Sequence, residues 1–304
     1  MARRKAYKES LIEQLKSWSL PGLEGVSFYD LGQTYVDGII QGTFAARASA
    51  ISYSFFMALF PFILFVLNLI PFISIPNFQE EILLFVNDLL PAQAAGAFDN
   101  IFKEIALQEN TGLLTIAFIT SIFLMTNGVN AIFDGFERSY HASVRRGFFR
   151  QYAVSLGVSV LLVVFLFLAV VIALGIEYWI TELRAQDIMT ENSKTVWLNV
   201  VRYVILIFLL FIFIGSLYYT GTRDGRQTHF FSLGALTTTV LSIIFSYLYG
   251  VYIDNFSSYN EIYGSIGALL ILMVYIWLNA NILLLGFELN ATFRKLKARK
   301  LKLE

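Results

Sequence analysis

The chain has 304 residues, of which 57% are apolar and only 14% are charged, and its net charge is zero. A soluble protein usually carries about a quarter charged residues, so the composition excludes an ordinary water-soluble domain, a disordered tail and a basic nucleic-acid-binding domain. The absence of cysteine excludes a disulfide scaffold and thiol chemistry.

The first 42 residues predict an amphipathic cytoplasmic segment. Tyr7, Leu11, Leu15 and Trp18 recur at helical spacing and oppose charged residues, which predicts an interfacial helix over residues 5–18. Pro21 ends this pattern, and a second amphipathic helix is predicted over residues 28–40.

Six long stretches without Asp, Glu, Lys or Arg follow, and each reaches the roughly 20 residues that a helix needs to cross a membrane. They predict an all-α polytopic bundle in which residues 43–292 form the transmembrane domain and residues 293–304 a basic tail. The predicted spans are about 47–75, 111–135, 151–177, 197–221, 228–253 and 262–290.

The distribution of cations predicts the orientation. With six spans both termini lie on one side, and 18 of the 22 Lys and Arg residues fall on that side. Because cytoplasmic segments retain cations during insertion, both termini are predicted to be cytoplasmic.

Polar residues recur inside the spans, where they are costly. All are predicted in the cytoplasmic half of spans one, two and six: Arg47, Ser52, Tyr53, Asn127, Asn130, Asp134, Arg138, Asn279, Asn281 and Glu288. One interpretation is an inward-facing polar cavity that binds a substrate. The other is that these side chains hydrogen-bond one helix to another.

Three further positions concern the backbone of the spans. Pro61 removes a hydrogen bond within span one and predicts a kink. Gly264 and Gly267, at the start of span six, predict close helix packing, and Gly264 is also a candidate hinge.

Several of these motifs resemble the YihY/BrkB-type bacterial membrane proteins, formerly mislabelled as ribonuclease BN. The resemblance rests on residues 48–53 (ASAISY) with Phe60 and Pro61, on residues 130–138, and on the last span with its YGSIG start and LGFELN end. The family often has proline near residues 219–222 and 233–235, where this chain reads YTGT and LGA. The resemblance implies six helices in the bacterial inner membrane.

The leading functional hypothesis is a transporter or flippase for an amphiphilic, lipid-related substrate, and the resemblance agrees with it. In this hypothesis Arg47 and Arg138 attract an anionic headgroup, and Asp134 and Glu288 balance these cations or relay protons. Hydrogen bonds to the headgroup come from Asn127, Asn130 and Asn279.

Two alternatives stay open: an ion-coupled antiporter that uses Asp134 or Glu288, and a non-transporting scaffold. A metal-dependent nuclease needs clustered metal ligands such as His and Asp. The histidines of this chain are only two, His141 and His229. We therefore predict no enzyme activity, cofactor, metal or nucleic-acid partner. Membrane lipids are the predicted partners, and homo-oligomerisation is left open.

Overall fold

The computed structural model describes residues 19–20, 23–41, 43–72, 110–139, 146–185, 194–223, 229–255 and 265–301. The predicted helix over residues 5–18 and the candidate hinge Gly264 lie outside these ranges.

A small antiparallel ribbon precedes the helices. Strand β1 (Ser19–Leu20) pairs with β2 (Leu23–Ser27), and β2 leads directly into helix α1 (Phe28–Gln41). The backbone N–H of Asp30 donates to Ser27 Oγ at 3.1 Å, and the N–H of Ser27 donates to Asp30 Oδ2 at 3.1 Å. This reciprocal arrangement is a capping box, so it fixes the start of α1.

Six longer helices confirm the predicted bundle. They are α2 (Phe44–Leu69, extended by a 3₁₀ turn, Ile70–Phe72), α3 (Thr111–Glu137), α4 (Phe148–Ala185), α5 (Lys194–Gly221), α6 (Leu233–Asn255) and α7 (Ser265–Leu301). Each contains a segment long and apolar enough to cross a membrane. The chain is therefore a multi-pass membrane protein.

The ends and interiors of these helices follow local chemistry. Asn110 caps α3, because its Oδ1 accepts the N–H of Leu113 at 2.9 Å. Helix α2 continues through Pro61 as one helix, so the kink predicted there stays a prediction. Helix α7 continues beyond the predicted span into the basic tail.

The spans pack in chain order around a ring. Each contacts the next, and α7 returns to contact α2, while α3 also reaches α5 and α7. A third of the apolar window of α3 is buried, compared with 11% for α6. Thus α3 is the most central span, and α6 lies at the periphery.

The tightest packing lies at one end of the bundle. Ala48 near the start of α2, Phe136 near the end of α3 and Phe287 in the later half of α7 belong to one buried cluster. Elsewhere large apolar side chains face outward, among them Ile116, Phe167 and Tyr247, each at least 60% exposed. Such surfaces suit a hydrocarbon environment.

Candidate functional site

A buried ion pair joins the first span to the last. Arg47 Nη2 lies 2.8 Å from Glu288 Oε1, and the exposed fractions of the two side chains are only 2% and 0%. Arg47 occupies the first turn of α2, and Glu288 lies in the later half of α7. The structure therefore brings together two of the predicted site residues that are 241 positions apart.

Helix α3 completes this site. Arg47 Nη1 donates to the carbonyl oxygen of Gly135 at 2.8 Å, and Ser139 Oγ donates to Glu288 Oε2 at 2.8 Å. Both carboxylate oxygens thus accept hydrogen bonds, and one guanidinium connects α2, α3 and α7. We call Arg47, Gly135, Ser139 and Glu288 the ion-pair site.

Because the ion pair is buried, separating Arg47 from Glu288 costs free energy. Hydrogen bonds to ionised groups are stronger than neutral ones, but removing one partner of a buried pair leaves an uncompensated charge. Arg47 Nε is buried without a hydrogen-bond partner among the described residues. The guanidinium also lies over the ring of Phe44, 5.6 Å from its centroid. Separating the two side chains is therefore favourable only when another group replaces the partner that each charge loses.

Aromatic rings fill the space beside the ion-pair site. Phe136 stacks on Phe287 with ring centroids 4.2 Å apart, and Tyr218 packs edge-on against both. The Tyr218 hydroxyl donates to the carbonyl of Leu283 at 2.7 Å. These contacts join α3, α5 and α7, and all three rings are buried.

The amphipathic helix α1 also reaches this region. The Tyr35 hydroxyl donates to the carbonyl of Leu285, in α7, at 3.1 Å. Burial raises the pKa of Tyr35 to about 12, and the negative charge of Glu288 adds to the rise. The phenol is therefore a neutral donor at physiological pH.

A second ion pair lies outside the ion-pair site. Arg138 Nε is 2.7 Å from Asp134 Oδ2, one turn apart at the end of α3, and the two side chains are 59% and 49% exposed. Exposed pairs of this kind contribute little stability. Asp134 and Arg138 thus lie at the surface of the bundle.

The other predicted polar residues are not joined to the ion-pair site by any described hydrogen bond. Three of them donate to carbonyls of their own helices: Ser52 to Ala48, Asn279 to Tyr275 and Asn281 to Trp277. Asn130 accepts a long hydrogen bond of 3.5 Å from Ser155. Tyr53 is 56% exposed, Asn127 and Pro61 are half-buried, and Gly267 is buried.

An apolar cavity of about 470 Å³ lies midway along the spans. Four helices, α2 to α5, line it with aliphatic and aromatic side chains, for example Phe55, Met125, Leu166 and Phe213. Phe55 follows Arg47 by eight residues, which is about 12 Å along a helix. The cavity is therefore separated from the ion-pair site by about two turns of α2.

The sequence did not single out Gly135 or Ser139. Gly135 contributes only its carbonyl, a group that every residue has, and Ser139 lies beyond the end of the apolar stretch. No group of three or more His, Asp or Glu side chains in the described part of the chain is placed to hold a metal ion.

Comparison with known proteins decides the family. The family described as virulence factor BrkB matches residues 37–303, which include all six spans. The chain belongs to this BrkB family.

Individual curated proteins are also similar to this chain. The putative ribonuclease-like protein YfkH of Bacillus subtilis is 27% identical over 256 residues, which cover 83% of this chain and 90% of YfkH. UPF0761 membrane protein VV0203 of Vibrio vulnificus is 31% identical over 37% of this chain and 35% of its own length. No solved structure matches.

The LGFELN motif of this BrkB-family chain places three interhelical contacts on α7. Glu288 belongs to the ion-pair site, and Gly286 lies where α6 crosses α7. Asn290 Oδ1 accepts the N–H of Gly234 at 2.9 Å, in the first turn of α6. Three residues of the LGFELN motif therefore connect α7 to its neighbours.

Proposed function

We propose that this BrkB-family protein moves an amphiphilic, lipid-related substrate across the bacterial inner membrane, with both termini in the cytoplasm. One observation carries the proposal: a buried ion pair at one end of the bundle lies about two helical turns from an apolar cavity midway along the spans. An amphiphile needs both environments, a cationic group for its anionic headgroup and apolar space for its chains.

Arg47 is the proposed headgroup receptor. An anionic headgroup can replace Glu288 as the partner of Arg47, so the guanidinium keeps a partner while α2 and α7 separate. The separation opens the polar cavity towards the cytoplasm, with Asn127, Asn130 and Asn279 along its wall. Arg138, at the exposed end of α3, attracts the headgroup, and Asp134 balances the charge of Arg138.

This proposal accounts for more of the geometry than the alternatives. An ion-coupled antiporter needs a carboxylate that gains and loses a proton. Both oxygens of Glu288 are engaged by Arg47 and Ser139, and Asp134 is paired with Arg138. Neither an antiporter nor a scaffold has a use for the apolar cavity, so the proposed role is transport of an amphiphile.

Reconstituted protein tests the proposal directly. Liposomes of phosphatidylethanolamine and phosphatidylglycerol would carry a trace of acyl-labelled fluorescent phosphatidylglycerol, and an impermeant reductant would quench the outer leaflet. We expect the wild-type protein to make inner-leaflet probe accessible, with and without a pH gradient as separate arms. The double variant Arg47→Gln/Glu288→Gln should lose about tenfold or more in rate, because it lacks a charged receptor.

Ser49→Ala is the matched control, since Ser49 is exposed and donates only to Ala45 of its own helix among the described contacts. Size-exclusion profiles establish that each variant is folded. Wild-type vesicles that quench no faster than protein-free vesicles, in either arm, would refute the proposal. Equal rates for the double variant and the wild type would refute the role of Arg47.

A further inference from the structure

A second cavity lies where α4 begins and α5 ends. Its volume is about 320 Å³, and it is lined by Arg146, Arg150, Val154, Thr220 and Arg223. Three of these five side chains are arginines, although the chain as a whole has no net charge. None of the three was predicted as a site residue.

Arg146 is held in place within this cavity. Its Nη1 donates to the carbonyl of Thr220, at the end of α5, and its backbone N–H donates to Glu137 Oε1 at 3.2 Å. Arg146 thus connects the end of α5, through its guanidinium, to the end of α3, through its backbone. Arg146 is half-buried, whereas Arg150 and Arg223 are exposed.

The electrostatics of this cavity favour an anion. Arg150 lies in the first turn of α4, where the helix dipole also attracts negative charge. Glu137 is buried and reaches Arg146 through the backbone, so it offsets only part of the positive charge. Thr222, between two lining residues in the chain, has a buried hydroxyl without a partner in the described structure.

We propose that this arginine cavity binds a phosphate-type oxyanion, either a lipid headgroup phosphate or free phosphate. Planar guanidinium groups match the oxygens of phosphate and form two parallel hydrogen bonds with it. The cavity is open to the surface, and two exposed aromatic rings, Phe148 and Phe149, precede Arg150 at the start of α4. Exposed apolar rings next to basic side chains suit the boundary between lipid headgroups and acyl chains.

This inference goes beyond the proposed transport. The arginine cavity lies between α4 and α5, whereas the ion-pair site lies between α2, α3 and α7. An anion can therefore bind between α4 and α5 whether or not a lipid moves, and its binding is measured without any transport assay.

Thermal unfolding of the purified full chain in a neutral detergent tests the site. One arm titrates inorganic phosphate, and the other compares phosphatidic acid with diacylglycerol of the same acyl chains. We expect phosphatidic acid, inorganic phosphate or both to raise the midpoint of the wild-type protein, and diacylglycerol to leave it unchanged. The double variant Arg150→Gln/Arg223→Gln should bind about tenfold or more weakly, since it loses charge-assisted hydrogen bonds.

Two further variants sharpen the result. Lys297→Gln removes an exposed positive charge from α7 and should respond like the wild type. Arg150→Lys/Arg223→Lys keeps the charge and should restore part of the affinity. A response to phosphatidic acid alone identifies a lipid headgroup, and a response to inorganic phosphate identifies a free anion. The inference is overturned if the wild type responds to neither, or if the Gln double variant responds as strongly.

Discussion

At the scale of single residues, the chain places two arginine–carboxylate pairs in opposite environments. The Arg47–Glu288 pair is almost completely buried, whereas the Arg138–Asp134 pair is about half exposed, and both have contacts of 2.7–2.8 Å. Since water and its dipoles screen only the exposed pair, equal geometry does not mean equal energy.

This contrast predicts unequal costs of substitution. Glu288→Ala should lower the free energy of unfolding by about 3–5 kcal/mol, because it leaves the Arg47 charge buried without a partner. Asp134→Ala, the matched control, should change it by about 1 kcal/mol or less. Thermal unfolding in detergent ranks the two variants.

The double variant Arg47→Met/Glu288→Met separates charge from packing. Because it removes both buried charges and keeps similar volume, it should recover most of the stability that Glu288→Ala loses. A double variant no more stable than Glu288→Ala would contradict this electrostatic account.

At the scale of elements, a close helix crossing joins α6 to α7 through two glycines, Gly234 and Gly286. A Cβ atom added to Gly286 would collide with Thr238 Oγ1. It would also lie only 2.6 Å from the carbonyl oxygen of Gly234. Small residues allow such close approach of membrane helices. The sequence predicted this kind of packing at Gly264 and Gly267, but the crossing just described uses Gly234 and Gly286.

The crossing predicts that a glycine-to-alanine substitution has opposite effects on stability at two positions, one in α7 and one in α6. Gly286→Ala should destabilise the protein by about 1–3 kcal/mol, because backbone and side chains have to shift. Gly250→Ala, in α6, meets no atom within 4 Å and should be neutral or stabilising by up to about 1 kcal/mol. Unfolding midpoints that fall equally for both variants would contradict the steric explanation.

At the scale of the whole molecule, the spans form a ring that is packed most tightly at one end. The start of α2, the end of α3 and the later half of α7 meet there in the ion-pair site and its aromatic neighbours. The distribution of cations predicts that this end faces the cytoplasm.

Single cysteines test this orientation, since the natural chain has none. Lys297→Cys lies on α7 beyond the ion-pair site, and Thr111→Cys lies at the opposite end, at the start of α3; both positions are exposed. An impermeant thiol reagent should label Thr111→Cys in intact cells and Lys297→Cys only in inverted vesicles. The reverse pattern would overturn the predicted orientation.

The sequence alone determined the number of spans and the family, and it selected Arg47 and Glu288 as candidate site residues. These features depend on local quantities: the length of an apolar stretch, the cost of a charge within it, and short motifs such as LGFELN. The same reasoning grouped Asn279 and Asn281 with the site, although each donates to a carbonyl of its own helix.

Only the tertiary structure decided which polar groups meet. The pairing of Arg47 with Glu288, the carbonyl of Gly135, the Gly234–Gly286 crossing and the arginine cavity all depend on contacts between helices distant in the chain. Such contacts follow from the rotation and crossing of each helix against its neighbours. Hydropathy locates each span along the chain, but it does not determine which face of that span packs against the other helices.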